Sequence, residues 1–348
     1  MLHEARDARR FPIEHQRADL LYLLKVEGDR DLFRCHTKYH TSGACQNLPM
    51  TYDDIMAVFC ATPIEPIPVP VVPATSARRL RDTLEPIATH GWWSRPPSER
   101  IAALGLGFFD GYVWGRAAAL GTPHASVVVA TFGVFEPGML SAVYQHATSV
   151  ASRDDVLAAR ADGAAESLAT LVSADDAAAI ADPLLAALSD LDGMGRPLFS
   201  ALRGLPLPDT AHGRLWRAAE LVREHRGDGH LAAAVAAGFD AITLNVVTEL
   251  WLGYAIGEYS HTRGFTAEHL GAAVGSLERR GWVSNDALTA AGLHARLEVE
   301  HATDVSQQPL IDLLGDDLDD VISRAETVSS QILAARAFPT DPRKRAAG

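Results

Sequence analysis

The chain has 348 residues, with 31 Lys and Arg against 44 Asp and Glu for a formal net charge of −13. At ~150 residues per domain this is about two domains' worth, and 47% hydrophobic with 22% charged residues is the balance of a folded globular chain rather than a disordered one. The acidic balance excludes a protein that coats nucleic acid or anionic membrane through its overall field, while leaving a locally basic face open.

Three cysteines, Cys35, Cys45 and Cys60, are too few for a disulfide framework and predict a reducing compartment. No stretch approaches the ~20 apolar residues of a spanning helix. The opening Met1–His15 is too charged for a signal peptide. A cytoplasmic protein without membrane partners is expected.

Residues 1–75 read as an N-terminal extension ending in a linker, because Pro63, Pro66, Pro68, Pro70 and Pro73 cannot donate backbone hydrogen bonds and favour an extended spacer. From Ser76 the chain turns Ala-rich and helical, with Ala77, Leu80, Leu84 and Ile87 on one face. Pro96-Pro97 opens another helix where proline is best tolerated. A further helix is expected between Gly105 and Leu120. Val127–Val129 reads as helix or strand, with helix favoured. Pro137 starts a helix through Tyr144, and Ser152 with Asp155 resembles a capping box for one through Leu171. Helices from Ala174 to Leu191, from Pro197, and from an Asp209 or Thr210 cap through His225 follow.

From Phe265 the pattern changes. Thr266 caps a helix carrying Leu270, Val274 and Leu277, ending at Arg279-Arg280-Gly281, where glycine suits a left-handed terminus. Trp282-Val283 and Ala287-Leu288 flank the turn residues Ser284 to Asp286, and Thr289 starts a helix towards His301. Helix, two short strands and helix is the grammar of a winged helix. A final amphipathic helix runs from Leu318 to Leu333.

The run Leu277-Glu-Arg-Arg-Gly-Trp-Val283 followed by Leu288-Thr-Ala-Ala-Gly-Leu293 resembles the second half of a MarR-type winged-helix domain over about 40 residues. A wider stretch, from about Ala77 to Asp304, resembles a poorly characterised actinobacterial helix-turn-helix family. Gly111 to Gly121, Gly195 to Phe199, Leu215 to Arg217, Arg223 to His230, and Thr262-Arg-Gly-Phe265 carry that resemblance. It implies a helix-turn-helix protein and supplies no reaction.

Four constellations could carry chemistry. In a DNA reader the helix from Thr266 would enter the major groove, with Thr266, His269, Arg279 and Arg280 as contacts; Glu268, Glu278 and Asp286 oppose that charge, so packing or dimerisation is the alternative use. Gly107, Gly111 and Gly115 recur every four residues, which permits either tight helix packing or a flat wall for a ligand near Tyr112, Trp114 and Arg116. Arg116, set among apolar residues, needs a carboxylate of the fold, with Asp110 and Asp228 the candidates, or an acidic ligand. The densest polar cluster runs from Arg223 to His230 between two apolar helices. Its Gly227 and Gly229 suggest a turn at a helix junction, either salt-bridged or an effector site.

There Asp228 could orient His225 or His230 as an acid/base partner. Neither this cluster nor Cys35, His36, His40, Cys45 and Cys60 has recognised metal-ligand spacing, so no metal and no cofactor are expected.

The expected architecture is all-α with a small C-terminal winged-helix module containing two short strands. The expected units are a 1–75 extension, a 76–238 helical sensing and dimerisation domain, a 239–305 winged helix and a 306–348 helix and tail. The function expected is a ligand-responsive DNA-binding regulator, as a homodimer. Its small-molecule effector would meet Tyr112, Arg116, Trp216, His225, Arg226, Asp228 and His230. The alternative is a binding protein or enzyme using the Arg223–His230 cluster, with the winged helix as scaffold.

Overall fold

The computed structural model describes residues 51–60 and 69–343. Cys35, His36, His40, Cys45 and most of the proline spacer lie outside them. The described chain is mainly helical. Its helices are α1 Tyr52–Phe59, α2 Ser76–Ala88, α3 His90–Trp93, α4 Arg95–Ala103, α5 Phe108–Ala117, α6 Ala125–Phe132, α7 Pro137–Val150 and α8 Arg153–Leu168. They continue as α9 Ala174–Asp190, α10 Pro197–Arg203, α11 Ala211–Ala236, α12 Ala241–Leu252, α13 Ala267–Arg279, α14 Ala290–Val305, α15 Gln308–Leu314 and α16 Leu318–Ala334.

The starts follow side-chain chemistry already legible in the residues. Thr75, Ser152, Ser173, Thr210, Thr266 and Thr289 each accept a backbone N–H of the first turn through the side chain, satisfying donors that a helix leaves unpaired. Proline opens α4, α7 and α10, where its missing N–H costs nothing. Residues 127–129 fall within a helix, α6.

The polar run from Arg223 to His230 does not interrupt the chain. Helix α11 passes through it unbroken for 26 residues, so the expected turn at Gly227 and Gly229 is absent. Gly229 instead admits a neighbour: a Cβ there would lie 2.7 Å from Arg196 Nη1 and 2.5 Å from Ser306 Oγ. Gly111 and Gly115 likewise serve close packing, their missing Cβ positions filled by Ile101 of α4 and Arg160 of α8, so the glycine face is not open to a ligand.

Helix α11 joins the main apolar cores. Its first half, with Leu215, Trp216, Ala219 and Val222, packs with α2, α9, α10, α15 and α16. A second core gathers α4 to α8 around Trp114, Phe132 and Leu140. At the far end of α11, Ala234 joins Val247 of α12, Leu270 and Leu277 of α13 and Val299 of α14. No single described helix is long and apolar enough to cross a membrane; α11 and α12 meet the combined requirement of length and composition only together, as a pair bent by 103°.

Between α13 and α14 lie the only strands among the described residues, β1 Val283–Ser284 and β2 Ala287–Leu288, paired antiparallel. Asn285 and Asp286 at the tip have φ of 49° and 55°, the left-handed pair that a two-residue type I′ turn requires. Gly292 in α14 lies under this hairpin. A Cβ at Gly292 would stand 2.1 Å from the Trp282 carbonyl oxygen, and backbone cannot swing aside as a side chain can. Gly292→Ala would gain about 1 kcal/mol of helix propensity but overpack by about 1–3 kcal/mol or more. Net destabilisation is therefore expected, read as a lower denaturation midpoint.

Candidate functional site

Helix α13 is seated by Leu270, Ala273 and Leu277, while Glu268, His269, Gly271, Ala272, Glu278, Arg279 and Arg280 are exposed. Thr266 and His269 form a reciprocal cap. The Thr266 Oγ1 accepts from His269 N, and His269 Nδ1 accepts from Thr266 N, both at 3.3 Å. Arg280 turns back on the fold, its guanidinium 3.5 Å from the Trp282 ring centroid and donating to the Gly238 carbonyl at 3.0 Å. Arg279 is exposed and forms no ion pair among the described residues.

A 14-residue connection, 253–266, separates α12 from α13, longer than the 3–4 residues of a minimal helix-turn-helix. Glu249, fully buried on α12, holds it by accepting N–H groups of Gly257, Tyr259 and Ser260 at 3.2, 2.6 and 2.5 Å. Burial pushes this carboxyl up, against those three bonds. An isolated Glu in an apolar helix gave no sequence signal for that role.

The polar band of α11 divides between different neighbours. His225 Nδ1 meets Gln307 Oε1 at 2.8 Å, and His230 Nδ1 meets Thr303 Oγ1 at 3.0 Å. Burial pushes the two imidazoles down to about 4 and about 3, so both are neutral at pH 7. Arg226 faces Glu300 at 3.4 Å and Asp304 at 3.9 Å, beside Arg78 and Arg296. Asp228 accepts the Phe199 N–H of α10 at 3.0 Å and is bonded to neither histidine. Trp216 is enclosed, donating to the Ala88 carbonyl at 3.1 Å, and lies behind Arg160. Among the described residues, no three His, Cys, Asp or Glu side chains converge as metal ligands.

A second grouping forms around Arg116. Its partner is neither Asp110 nor Asp228 but Glu224, bound as a fork: Nε to Oε1 at 3.0 Å and Nη2 to Oε2 at 2.7 Å. Arg116 Nη1 also donates to the Tyr112 hydroxyl at 2.9 Å. Arg223 donates to Glu85 at 3.1 Å and to Glu224 at 3.1 Å. Burial alone would raise the Glu224 carboxyl, but Arg116 and Arg223 outweigh it and hold it below the usual range. Around these charges stand Trp92, Phe109, Phe132 and Phe135, each ring within 6.5 Å of the Tyr112 ring.

The 3₁₀ turn Ser260–Arg263 closes this grouping from the side of α13. Arg263 donates to the Tyr259 hydroxyl at 2.6 Å and stacks over Phe135 at 5.0 Å and Tyr259 at 4.5 Å. The structure thus unites Tyr112 and Arg116 with Arg223, but sets Arg226 and His230 in a separate seam against α14. Sequence reasoning missed Glu85, Phe135, Tyr259 and Arg263; only Arg263 stood in a run already singled out, Thr262–Phe265.

A family profile described as a helix-turn-helix family matches residues 77–339, so the chain belongs to that helix-turn-helix family. No curated protein and no solved structure matches the chain.

Two neighbouring carboxylates of α11 should respond oppositely to neutralisation. Glu224→Gln strips Arg116 of its carboxylate and leaves Arg223 only Glu85, and is expected to cost about 3 kcal/mol. Asp228 is pushed up to about 6 by burial, above an unfolded carboxyl near ~3.9. Its contribution to stability is therefore present below about pH 4 and lost as pH rises through about 6. Asp228→Asn keeps an acceptor for Phe199 N–H and is expected to stabilise by up to about 2 kcal/mol at pH 7.5. The gain vanishes near pH 4, as melts of variant and parent across pH will reveal.

Proposed function

We propose that the protein is a ligand-responsive, DNA-binding transcriptional regulator of the cytoplasm. In this reading residues 239–305 form a divergent MarR-like winged helix, residues 76–238 a sensing and dimerisation domain, and residues 306–348 a C-terminal helix and tail. The observation that carries it is the outward face of α13, clear of the rest of the described chain and followed at once by a two-stranded hairpin and α14. Gly271 on that face has nothing near its Cβ position. A helix so presented fits the ~12 Å width of a major groove. Membership of a helix-turn-helix family supports the same use.

The electrostatics assign unequal roles. His269 and Thr266 stand at the helix N-terminus, where such helices meet base edges. Thr266 Oγ1 and His269 Nδ1 both serve the cap, so His269 Nε2 is the better base contact. Arg279 is the cation available for phosphate, whereas Arg280 is drawn onto Trp282. Glu268, Glu278 and the hairpin-tip Asp286 are exposed and repel phosphate, so few ions are released on binding and the salt dependence is shallow. Two copies would read a two-fold symmetric site. The enzyme alternative finds less support, because His225, Asp228 and His230 each bond to a different partner and form no acid/base dyad.

Fluorescence anisotropy with the protein's own upstream DNA and a scrambled duplex, at low and physiological salt, tests the assignment. Preference for the upstream duplex is expected to persist at physiological salt. Arg279→Ala should weaken binding several-fold and reduce the salt slope by about 1, while Asp286→Asn should strengthen it. Unchanged affinity in both Arg279→Ala and Arg280→Ala would sink the groove-reading assignment.

A further inference from the structure

Beyond α16 the chain passes from one core to another. Ala337 and Phe338 are still seated in the core of α2, α9 and α11, and three residues later Asp341 accepts from the Tyr254 hydroxyl at 3.0 Å. Tyr254 belongs to a different cluster. With Trp251 and Leu252 of α12 it packs against Tyr259 and against Leu288 of β2, at the base of the hairpin that follows α13.

Residues 340–343 contribute to none of the apolar cores, yet they are tied down. Arg343 lies over the Tyr254 ring at 3.7 Å, and its Nη2 donates to Asp341 Oδ2 at 2.9 Å. Its Nη1 donates to the Gly253 carbonyl at 3.5 Å, and Glu258 stands 3.8 Å away. A peripheral segment stays loose unless specific contacts hold it. Here they hold it at one place, where α12, the 253–266 connection and β2 meet. That fixed point sets where the next residues start, and the sequence continues Lys344-Arg345, outside the described residues.

The same module is short of cations for a polyanion. Arg280 is drawn onto Trp282, Arg263 lies against Tyr259 and Phe135, Arg296 is buried with Glu300, and Arg343 is paired with Asp341. Arg279 is left, opposed by exposed Glu268, Glu278 and Asp286. Two residues past Arg343 reach up to about 7 Å, as far as the two residues that carry the hairpin from Leu288 to Asp286 at its tip.

We propose that Lys344 and Arg345 form a basic arm, pinned beside the hairpin by Asp341, Arg343 and Tyr254, that contacts the phosphates of a DNA duplex engaged by α13. The contact is with backbone and not with base edges, because cations on a short tether neutralise phosphate whatever the sequence. The Arg343–Asp341 pair then has a positioning role. An arm already placed beside the duplex loses less freedom when it meets phosphate. This deepens the regulator reading and rests on it, since without DNA at α13 the arm has no partner.

Salt titrations of the full-length protein, followed by anisotropy with the upstream and scrambled duplexes, test the arm. Arg279 alone gives a log–log salt slope of magnitude ~1, whereas Arg279 with the two arm cations gives ~3, still shallow. Lys344→Ala/Arg345→Ala, with its fold checked by circular dichroism, is expected to lower that slope by about 2. It should weaken both duplexes about tenfold or more at low salt and leave the preference between them unchanged. Arg214→Ala/Arg324→Ala removes two charges paired with Asp182 and Asp176 of α9, and is expected to leave the slope where it was. Upstream-duplex binding by folded Lys344→Ala/Arg345→Ala with the parental slope overturns the arm and keeps the regulator. An equal fall of the slope in Arg214→Ala/Arg324→Ala does the same. If the arm variant does not fold, the parental slope decides, ~3 upholding the arm and ~1 overturning it. A parent protein that binds neither duplex overturns arm and regulator together.

Discussion

Helix α11 buries charge along its middle, and a buried charge is tolerated only when other elements bring it a partner. Glu220 takes Arg160 from α8 at 2.5 Å, Glu224 takes Arg116 from α5 at 2.7 Å, and Arg223 takes Glu85 from α2 at 3.1 Å. On the seam towards α14, Arg226 faces Glu300, which also holds Arg78 and Arg296. Apolar packing alone would let these helices slide or rotate. Each ion pair fixes a register, because a shift of one turn along α11 would strand several charges together. The net gain in stability from such pairs is small, and their effect is to exclude the alternatives.

The same helix carries this order towards the candidate DNA-reading end. Its last turn enters the core of α12, α13 and α14 through Ala234, and His230 reaches Thr303 on α14. The orientation of α13 then rests on the connection 253–266, where Glu249 gathers three backbone N–H groups. That connection ends in Arg263 and the Thr266 cap.

Much of the fold was legible because it is written locally. Thr210, Ser152 and Thr266 announce helix starts through their side-chain oxygens, Pro137 and Pro96-Pro97 through a missing donor, and Asn285-Asp286 announces the hairpin through tolerance of positive φ. Two glycines misled, one of them because its role is long-range. Gly227 and Gly229 imply a turn by propensity, about 1 kcal/mol each, but Gly229 is small so that the Arg196 guanidinium can pass beside α11 and donate to the Ser306 carbonyl at 3.0 Å. Helix α12 escaped notice because most of its residues are buried, which erases the one-sided pattern. Tyr112 and Arg116 stood out as polar groups in an apolar run, whereas the partner of Arg116 lies 108 residues away. No spacing rule selects Glu224 over Asp110 or Asp228.

If the body of the protein holds α13 and the adjoining hairpin out towards DNA, contact with a duplex falls on that hairpin and helix. Hydrogen–deuterium exchange, followed peptide by peptide with and without the upstream duplex, tests this most directly. DNA is expected to slow exchange across residues 264–289, with the middle of α11 protected equally in both states. Protection that falls elsewhere and leaves residues 264–289 unchanged would contradict it.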